Sequence, residues 1–168
     1  MKKLFIVLIA IVSAISVNAQ ENVKKEKDLA VVVDSLTAKL NKLQNDYDYL
    51  YCLSQLKDLI HDLTEEENKL SININDLKIR IYHERFNYDL YSVMKQNRNA
   101  SVDKYNSTKE MAASLKMNVG LIMLTSNFNE NQLNVLKGCM NVVDHALNSV
   151  ESALELYKLY LEEYHKKW

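Results

Sequence analysis

The amino-acid sequence predicts an all-α protein, because it contains almost none of the residues that tight turns need and because its apolar residues recur at helical spacing. The 168 residues include no proline and two glycines, Gly120 and Gly138. Hairpins, tight turns and phosphate-binding loops depend on these two residue types. A sheet-rich fold with many turns is therefore disfavoured, and we expect long helices joined by polar connections.

The first element along the chain is a predicted secretory signal peptide at residues 1–19. Lys2 and Lys3 form a basic start, residues 4–12 are apolar, and Val17-Asn18-Ala19 supplies the small residue of a cleavage site. The apolar run is shorter than the ~18 to 20 residues that span a bilayer. We therefore expect cleavage after residue 19 and no stable membrane insertion of the mature chain.

The sequence argues against a lipoprotein, because the lipid-carrying cysteine would stand at the cleavage point and the first cysteine is Cys52. The Lys2-Lys3 start and Gln20 after the cut resemble exported proteins of Bacteroides-type bacteria. With the helix-rich composition, the chain is similar to the small secreted helical proteins of these bacteria. The resemblance implies a periplasmic or secreted protein and transfers no site residues.

The mature chain is long enough for one domain. Removal of 19 of the 168 residues leaves 149, which can bury a sizeable core. We predict a flexible N-terminal segment at 20–27 and one helical-bundle domain at 28–168. Two of the 21 basic residues lie in the signal peptide, so 19 remain against 22 acidic residues, a net charge of −3. This balance does not indicate nucleic acid as a partner.

The first predicted helix begins near Asp28 and has one apolar seam with heptad spacing. The seam comprises Leu29, Val33, Leu36, Leu40, Leu43, Tyr47 and Leu50. After the last of these the phase slips by about one residue, and the seam continues through Cys52, Leu56, Leu59 and Leu63. Such a slip locally changes the winding of a supercoil without ending the helix.

Two middle helices are predicted from shorter patterns. The second helix carries Ile74, Leu77, Ile81, Tyr88 and Tyr91, and the third carries Tyr105, Ala112, Leu115, Val119 and Ile122. Predicted N-caps have a Ser, Thr or Asn followed by Glu or Gln three residues later. They are Thr64 with Glu67, Ser107 with Glu110, and Asn129 with Gln132.

The last predicted helix has the strongest pattern and continues to residue 168. Its heptad seam comprises Leu133, Leu136, Met140, Val143, Leu147, Val150, Leu154, Tyr157, Leu161, Tyr164 and Trp168. A second seam beside it comprises Val135, Cys139, Val142, Ala146, Ser149, Ala153, Leu156 and Tyr160. A helix with so broad an apolar surface packs against at least two neighbours.

These elements predict an antiparallel up-down bundle of four helices with coiled-coil-like packing. The alternative is three longer helices, if the chain runs unbroken through either 64–70 or 97–107. In the four-helix arrangement Cys52 and Cys139 lie at similar heights on neighbouring helices. Because the protein is expected to be exported, a disulfide between them is a hypothesis. The alternative is that both are small buried apolar residues.

The sequence contains no convincing catalytic or metal-binding motif. Glu162-x-x-His165 has the spacing of a bundle metal ligand pair, and Asp58-x-x-His61 resembles it, but both fall between the apolar seams. No nucleophile elbow, zinc-protease motif or phosphate loop occurs. We therefore predict no enzyme activity, no cofactor and no metal.

Surface features of the first helix are the remaining candidates. Tyr47, Tyr49 and Tyr51 occupy one helical turn and cannot all face one core, so Tyr49 or Tyr51 is predicted to form an exposed interaction patch. The alternative is that a broad apolar stripe covers all three. Asp34-Ser35-Leu36 resembles the O-glycosylation motif of Bacteroides-type envelope proteins, which implies Ser35 as the carrier.

The sequence thus predicts an exported interaction or structural module that binds a protein partner or itself through helix faces. The alternative is a periplasmic holdase, because long helices after a signal peptide resemble the Skp/OmpH chaperones. That family combines its helical arms with a β-structured body and tends to be basic. This chain is predicted to be all-helical and mildly acidic, and in both respects it departs from the family.

Overall fold

The computed structural model describes the backbone of residues 23–168 and the side chains from residue 29 onward. It contains three helices: α1 at Val23–His83, α2 at Tyr88–Thr125 and α3 at Glu130–His165. No strand occurs within this described part, and the all-α prediction is confirmed. The predicted signal peptide lies outside the described residues, as does the beginning of the predicted flexible segment 20–27. From residue 23 onward that segment belongs to α1.

The described part of the chain has three long helices, so the four-helix prediction is corrected and the three-helix alternative matches. Both predicted interruptions are continuous helix, because Thr64 lies inside α1 and Ser107 lies inside α2. The Thr64 hydroxyl donates a hydrogen bond to the carbonyl of Ile60, 2.8 Å away. This back-bonding is how a threonine is accommodated within a helix, which is why its capping potential is not used here.

The break between α1 and α2 falls at residues 84–87, inside the stretch that the apolar pattern predicts as one helix. Arg80 bonds to Asp76 at 2.8 Å and to Glu84 at 2.9 Å, and these pairs hold the last turns of α1. Asn87 then caps α2, because its side-chain oxygen accepts a hydrogen bond from the amide of Leu90 at 3.1 Å. An asparagine cap therefore makes this turn without glycine or proline.

The turn between α2 and α3 agrees with the sequence prediction. Asn129 accepts a hydrogen bond from the amide of Gln132 at 2.9 Å, and the Gln132 side chain accepts one from the amide of Asn129 at 3.0 Å. These reciprocal bonds form a capping box. The predicted N-terminus of the last helix is therefore confirmed.

The chain divides into two units, one through Gln44 and one from Asn45 to Trp168. The described part of the first unit is helical. In the second unit the three helices alternate in direction. The α2–α3 turn contacts the start of the unit, since the Ser126 hydroxyl donates to Asp48 at 3.2 Å. The α1–α2 turn contacts the end of α3, since the Asn87 amide donates to the Tyr164 hydroxyl at 3.1 Å. α1 and α3 are therefore parallel, with α2 antiparallel to both.

The core of the second unit is built from the predicted seam of α3 and the later seam of α1. From α1 it contains Cys52, Leu56, Leu59, Leu63, Leu70, Ile74, Leu77 and Ile81, and from α3 it contains Leu136, Val143, Leu147, Val150, Leu154, Tyr157, Leu161 and Tyr164. α2 contributes fewer residues, namely Met94, Tyr105, Ala112 and Val119. Each fully buried large side chain stabilises the fold by about 1.5–3 kcal/mol.

Candidate interaction surface

An apolar stripe in the first part of α1 remains largely exposed. It consists of the predicted seam Leu29, Val33, Leu36, Leu40, Leu43, Tyr47 and Leu50, and we call it the α1 stripe. Leu36 is 50% exposed, Leu43 is 66% exposed and Leu50 is 61% exposed. Single exposed leucines are common on protein surfaces, whereas these residues form a contiguous apolar row.

The stripe has the heptad spacing of a coiled coil. Leucine recurs at every seventh position, at Leu29, Leu36, Leu43 and Leu50, which is the d position of a heptad. The a positions are the remaining members, Val33, Leu40 and Tyr47. Val33 is the β-branched residue among them, whereas Leu40 and Tyr47 are not, so the a positions do not specify the number of helices. The stripe therefore has the spacing of a narrow coiled-coil seam.

Within the second unit, Tyr47 and Leu50 of the stripe lie on a different face of α1 from the buried core residues. Continuing its register leads to Ser54, Lys57 and His61, and all three are exposed. The buried positions instead begin at Cys52 and continue through Leu56, which is fully buried. The phase slip seen in the sequence is thus a change from one face of the helix to another.

The borders of the stripe carry few charges. The heptad positions beside it are Ala30, Val32, Thr37, Lys39, Gln44, Asp46 and Tyr51. Lys39 and Asp46 are the two charged members of this set, and both lie at g positions. Covering such a border removes few charges from water, which lowers the desolvation cost of association.

The predicted tyrosine patch divides between exposed and packed positions. Tyr51 is 49% exposed, and its ring stacks on the 54% exposed ring of Tyr47 with centroids 6.3 Å apart. Tyr49 is partly buried, and its ring meets Phe128 edge-on at 6.1 Å. Tyr51 therefore lies beside the α1 stripe, whereas Tyr49 holds the α2–α3 turn.

Ser35 is exposed on α1 and lies at a c position, outside the stripe. Its neighbour Leu36 belongs to the stripe. A sugar attached to the Ser35 hydroxyl would therefore point away from a helix paired along the stripe. The O-glycosylation of this residue stays a prediction.

A buried carboxylate interrupts the core face of α1. Glu66 is 4% exposed and follows Leu63 at seam spacing, so it stands where an apolar residue is expected. The Lys104 ammonium of α2 donates to its Oε2 at 2.7 Å. Burial raises the pKa of Glu66, but hydrogen bonds from Lys104 and the buried Ser101, together with nearby positive charge, outweigh this effect and lower the pKa overall. Glu66 is thus an ion-paired structural residue between α1 and α2.

Aromatic side chains close the bundle at the α1–α2 turn. The Phe86 ring stacks on Trp168 at 5.5 Å and also contacts Tyr164 at 5.3 Å. The ring of His165 lies 4.9 Å from that of Tyr91. His165 is therefore part of an aromatic cluster that fastens the end of α3 to the turn.

The two cysteines are free thiols in this structure. The Ser149 hydroxyl lies 2.5 Å from the Glu67 carboxylate, so these two residues are level with each other on α3 and α1. Cys52 precedes Glu67 by 15 residues, and because the two helices are parallel, the residue of α3 level with Cys52 is about residue 134. Cys139 lies roughly 8 Å further along the axis at ~1.5 Å per residue. A disulfide needs Cα atoms within about 7 Å. The hypothesised bridge is thus not formed and would require the helices to slide along each other.

Within the described residues, no group of three or more His, Cys, Asp or Glu side chains is placed to hold a metal ion. In the two sequence motifs, His165 packs against Tyr91 in the aromatic cluster, and Asp58 and His61 each have another partner. His61 lies 3.4 Å from Glu65, and Asp58 accepts from Ser54 at 3.5 Å. No helix in this part of the chain is long and apolar enough to cross a membrane.

From residue 23 onward the chain is all-helical, with three helices and an exposed stripe of coiled-coil spacing on α1. Comparisons with protein-family models, with curated proteins and with solved structures find no match.

Proposed function

We propose that this protein is a non-catalytic interaction module, exported to the cell envelope, that binds a helical protein segment along the α1 stripe. The observation that carries the proposal is the exposure of a regular leucine heptad. Its members are as regular as the buried seam of α3, yet they are half exposed or more at Leu36, Leu43 and Leu50.

The stripe offers enough apolar surface to drive association. Fully burying one leucine contributes about 1.5–3 kcal/mol, so covering a half-exposed one contributes roughly 1 kcal/mol. An amphipathic helix laid along the stripe would contact several such residues at once. This helix-on-helix recognition uses anchors at i, i+3, i+4 and i+7.

A role without catalysis is supported by the state of the reactive groups. Burial, and to a lesser extent the charge of Asp48, raises the pKa of the Cys52 thiol, which disfavours the nucleophilic thiolate. Glu66 is engaged by Lys104 between two helices. Export is supported by the pattern of residues 1–19, and N-terminal sequencing of the native protein should begin at Gln20.

The test compares two double variants of the full chain. Leu36→Asp with Leu43→Asp places charges on the stripe, and Ala38→Asp with Asn41→Asp places the same charges on exposed positions of the same helix outside it. Each protein is used to capture crosslinked partners from envelope extracts. We expect the stripe variant to lose proteins that the wild type and the control variant retain. Identical captured sets for all three proteins would contradict the proposal.

A holdase is the second candidate, because an exposed apolar face could also shield unfolded clients. The two functions differ in an aggregation assay with an unfolded outer-membrane protein. An interaction module leaves aggregation unchanged at stoichiometric amounts. Suppression that disappears in the Leu36→Asp, Leu43→Asp variant would instead establish the holdase.

A further inference from the structure

We infer that the occupant of the α1 stripe is the stripe of a second copy of this chain, running antiparallel, with Lys39 of each copy opposite Asp46 of the other. The inference rests on the proposed function, because it names the partner of the same surface. The dimer has a two-fold axis, so each contact occurs twice.

The heptad positions of the stripe allow a continuous antiparallel seam. In antiparallel coiled coils an a residue of one helix packs in a layer with a d residue of the other. One register places Leu40 with Leu43 of the second copy, Leu36 with Tyr47 and Val33 with Leu50. Two-fold symmetry doubles these contacts to six apolar layers. The same register places the small Ala30 against the large Tyr51 at the border.

The two border charges select this register over its neighbours. Here Lys39 and Asp46 of opposite sign meet at the g positions, once on each side of the two-fold axis. A shift by one heptad in one direction places Lys39 against Lys39 of the second copy, and a shift in the other direction places Asp46 against Asp46. Like charges at such positions destabilise a pairing and opposite charges favour it.

A parallel pairing gains less from these residues. In that orientation a g residue faces the e residue of the next heptad, so Lys39 faces Gln44 and Asp46 faces Tyr51 of the second copy. Neither contact is an ion pair. Tyr47 would also pack against Tyr47 of the second copy in an a layer. Charge complementarity therefore points to the antiparallel orientation.

The area available is sufficient for a specific dimer. The exposed fractions of the stripe, with Val32 at 52% and Tyr51 at 49%, amount to roughly 1,400 Å² over two copies. Stable interfaces bury about 1,200–2,000 Å² in total. The stripe together with Val32 and Tyr51 thus offers, when fully covered, an area at the lower end of this range.

The experiment is a charge exchange measured by sedimentation equilibrium on the full mature chain. We expect a monomer–dimer equilibrium for the wild type. Lys39→Asp alone creates two Asp–Asp contacts and Asp46→Lys alone creates two Lys–Lys contacts, so each should weaken dimerisation by about tenfold. An equimolar mixture of the two variants forms a heterodimer in which both contacts are again ion pairs. The mixture should recover the wild-type affinity.

A matched control separates this effect from a change in net charge. Lys42→Asp reverses a lysine at an outer c position, and its dimerisation should equal that of the wild type. Circular dichroism and urea unfolding establish that every variant keeps its helices. A heterodimer no tighter than the two homodimers overturns the antiparallel pairing.

Failure of the self-pairing can be distinguished from failure of the proposed function. A wild type that stays monomeric up to several hundred micromolar overturns the inference, but capture of an envelope protein that depends on Leu36 and Leu43 would still support an interaction module with another helix. If neither dimerisation nor capture depends on these leucines, both the inference and the proposed function fail.

Discussion

The α1 stripe and the seam of α3 are heptad patterns of similar regularity, but the seam of α3 is largely buried and the stripe is largely exposed. Leu136 and Val143 in α3 are fully buried, and Leu154 is 4% exposed. In the stripe Leu36 and Leu43 are 50% and 66% exposed. An apolar period therefore determines which face of a helix is available for burial, but it does not determine whether the same chain covers that face.

The α1 stripe and the seam of α3 differ in the width of the apolar surface to which each belongs. α3 has a second seam beside the first, in which Ala146 and Ala153 are partly buried and Val135, Val142 and Leu156 are 40–47% exposed, so its apolar surface is broader than one coiled-coil seam. The stripe is a single row bordered mostly by small and polar residues. A row of a and d positions alone is the narrow surface of a coiled coil, which pairs with one helix.

The largest expected effect comes from truncating one leucine in each pattern. Leu136→Ala removes a fully buried side chain and should lower the free energy of unfolding by about 3 kcal/mol. Leu43→Ala should change it by less than about 0.5 kcal/mol. Urea unfolding of dilute protein, where association does not contribute, measures both. Equal losses would mean that the stripe is covered within the monomer.

A smaller effect is expected from Glu66, a charged residue on the buried face of α1. Lys104→Met leaves Glu66 buried without its cation and should cost about 2 kcal/mol, less than for a fully buried pair because Lys104 itself is half exposed. Lys42→Met on the outer side of the first part of α1 is the control and should have almost no effect.

The same pair gives a pH dependence. The pKa of Glu66 is lowered in the folded protein, so its stabilising contribution is present above the pKa of the unfolded chain and is lost as the pH falls through the folded value. Lys104→Met should reduce this loss of stability on acidification. Acid unfolding curves of the variant and the wild type that run parallel would contradict this account of Glu66.

Removing one tyrosine hydroxyl in each region should give a smaller change in the free energy of unfolding. Tyr157 in α3 is fully buried and donates to the carbonyl of Met94 at 3.2 Å, whereas Tyr47 in the stripe is 54% exposed. Tyr157→Phe should cost about 1 kcal/mol, and Tyr47→Phe should cost almost nothing. Urea unfolding at neutral pH checks both values.

Burial, with a contribution from Asp76, raises the pKa of Tyr157 from 10.0 to about 12. A raised pKa means that the neutral hydroxyl stabilises the fold fully below pH 10, and that this contribution is lost as the pH rises towards about 12. Burial also raises the pKa of Tyr105, and ultraviolet titration should find Tyr157 to be the tyrosine that ionises near pH 12. Its absence in Tyr157→Phe and its retention in Tyr47→Phe would assign the signal.

The smallest expected effect concerns the thiols. Intact mass measurement of the unreduced protein should show two free thiols. Cys139 is partly exposed and should react with a thiol reagent before Cys52, which is fully buried and has a raised pKa. A mass lower by two hydrogens would show that the helices adopt a different register.

Some parts of this fold could be predicted from the sequence because a local pattern determines them. The seam of α3 needs only helical periodicity, and the cap at Asn129 needs only its reciprocal partner Gln132. The turn at residues 84–87 could not be predicted, because no glycine or proline marks it and Asn87 functions as a cap in the context of the bundle. The apparent cap at Thr64 failed for the converse reason, since packing keeps α1 continuous there.

The candidate surface was also predictable in part. The seam and the phase slip near residue 51 are visible in the spacing, but whether the first seam is covered is a tertiary property. The burial of Glu66 could have been predicted, because the seam spacing from Leu59 to Leu63 continues to residue 66 and then to Leu70. A carboxylate at a seam position indicates a cation on the facing helix, and Lys104 supplies it.

The change of face along α1 means that residues which hold the bundle together and residues of the stripe are separate sets. Leu56 and Leu59 can be conserved by the demands of folding while Lys39 and Asp46 vary. In the antiparallel dimer proposed above, exchanging the two charges together gives a variant that pairs with itself through the same ion pairs and meets the wild type with like charges. Such a dimer would allow new pairing specificities to be engineered, or to evolve, without changing the buried core.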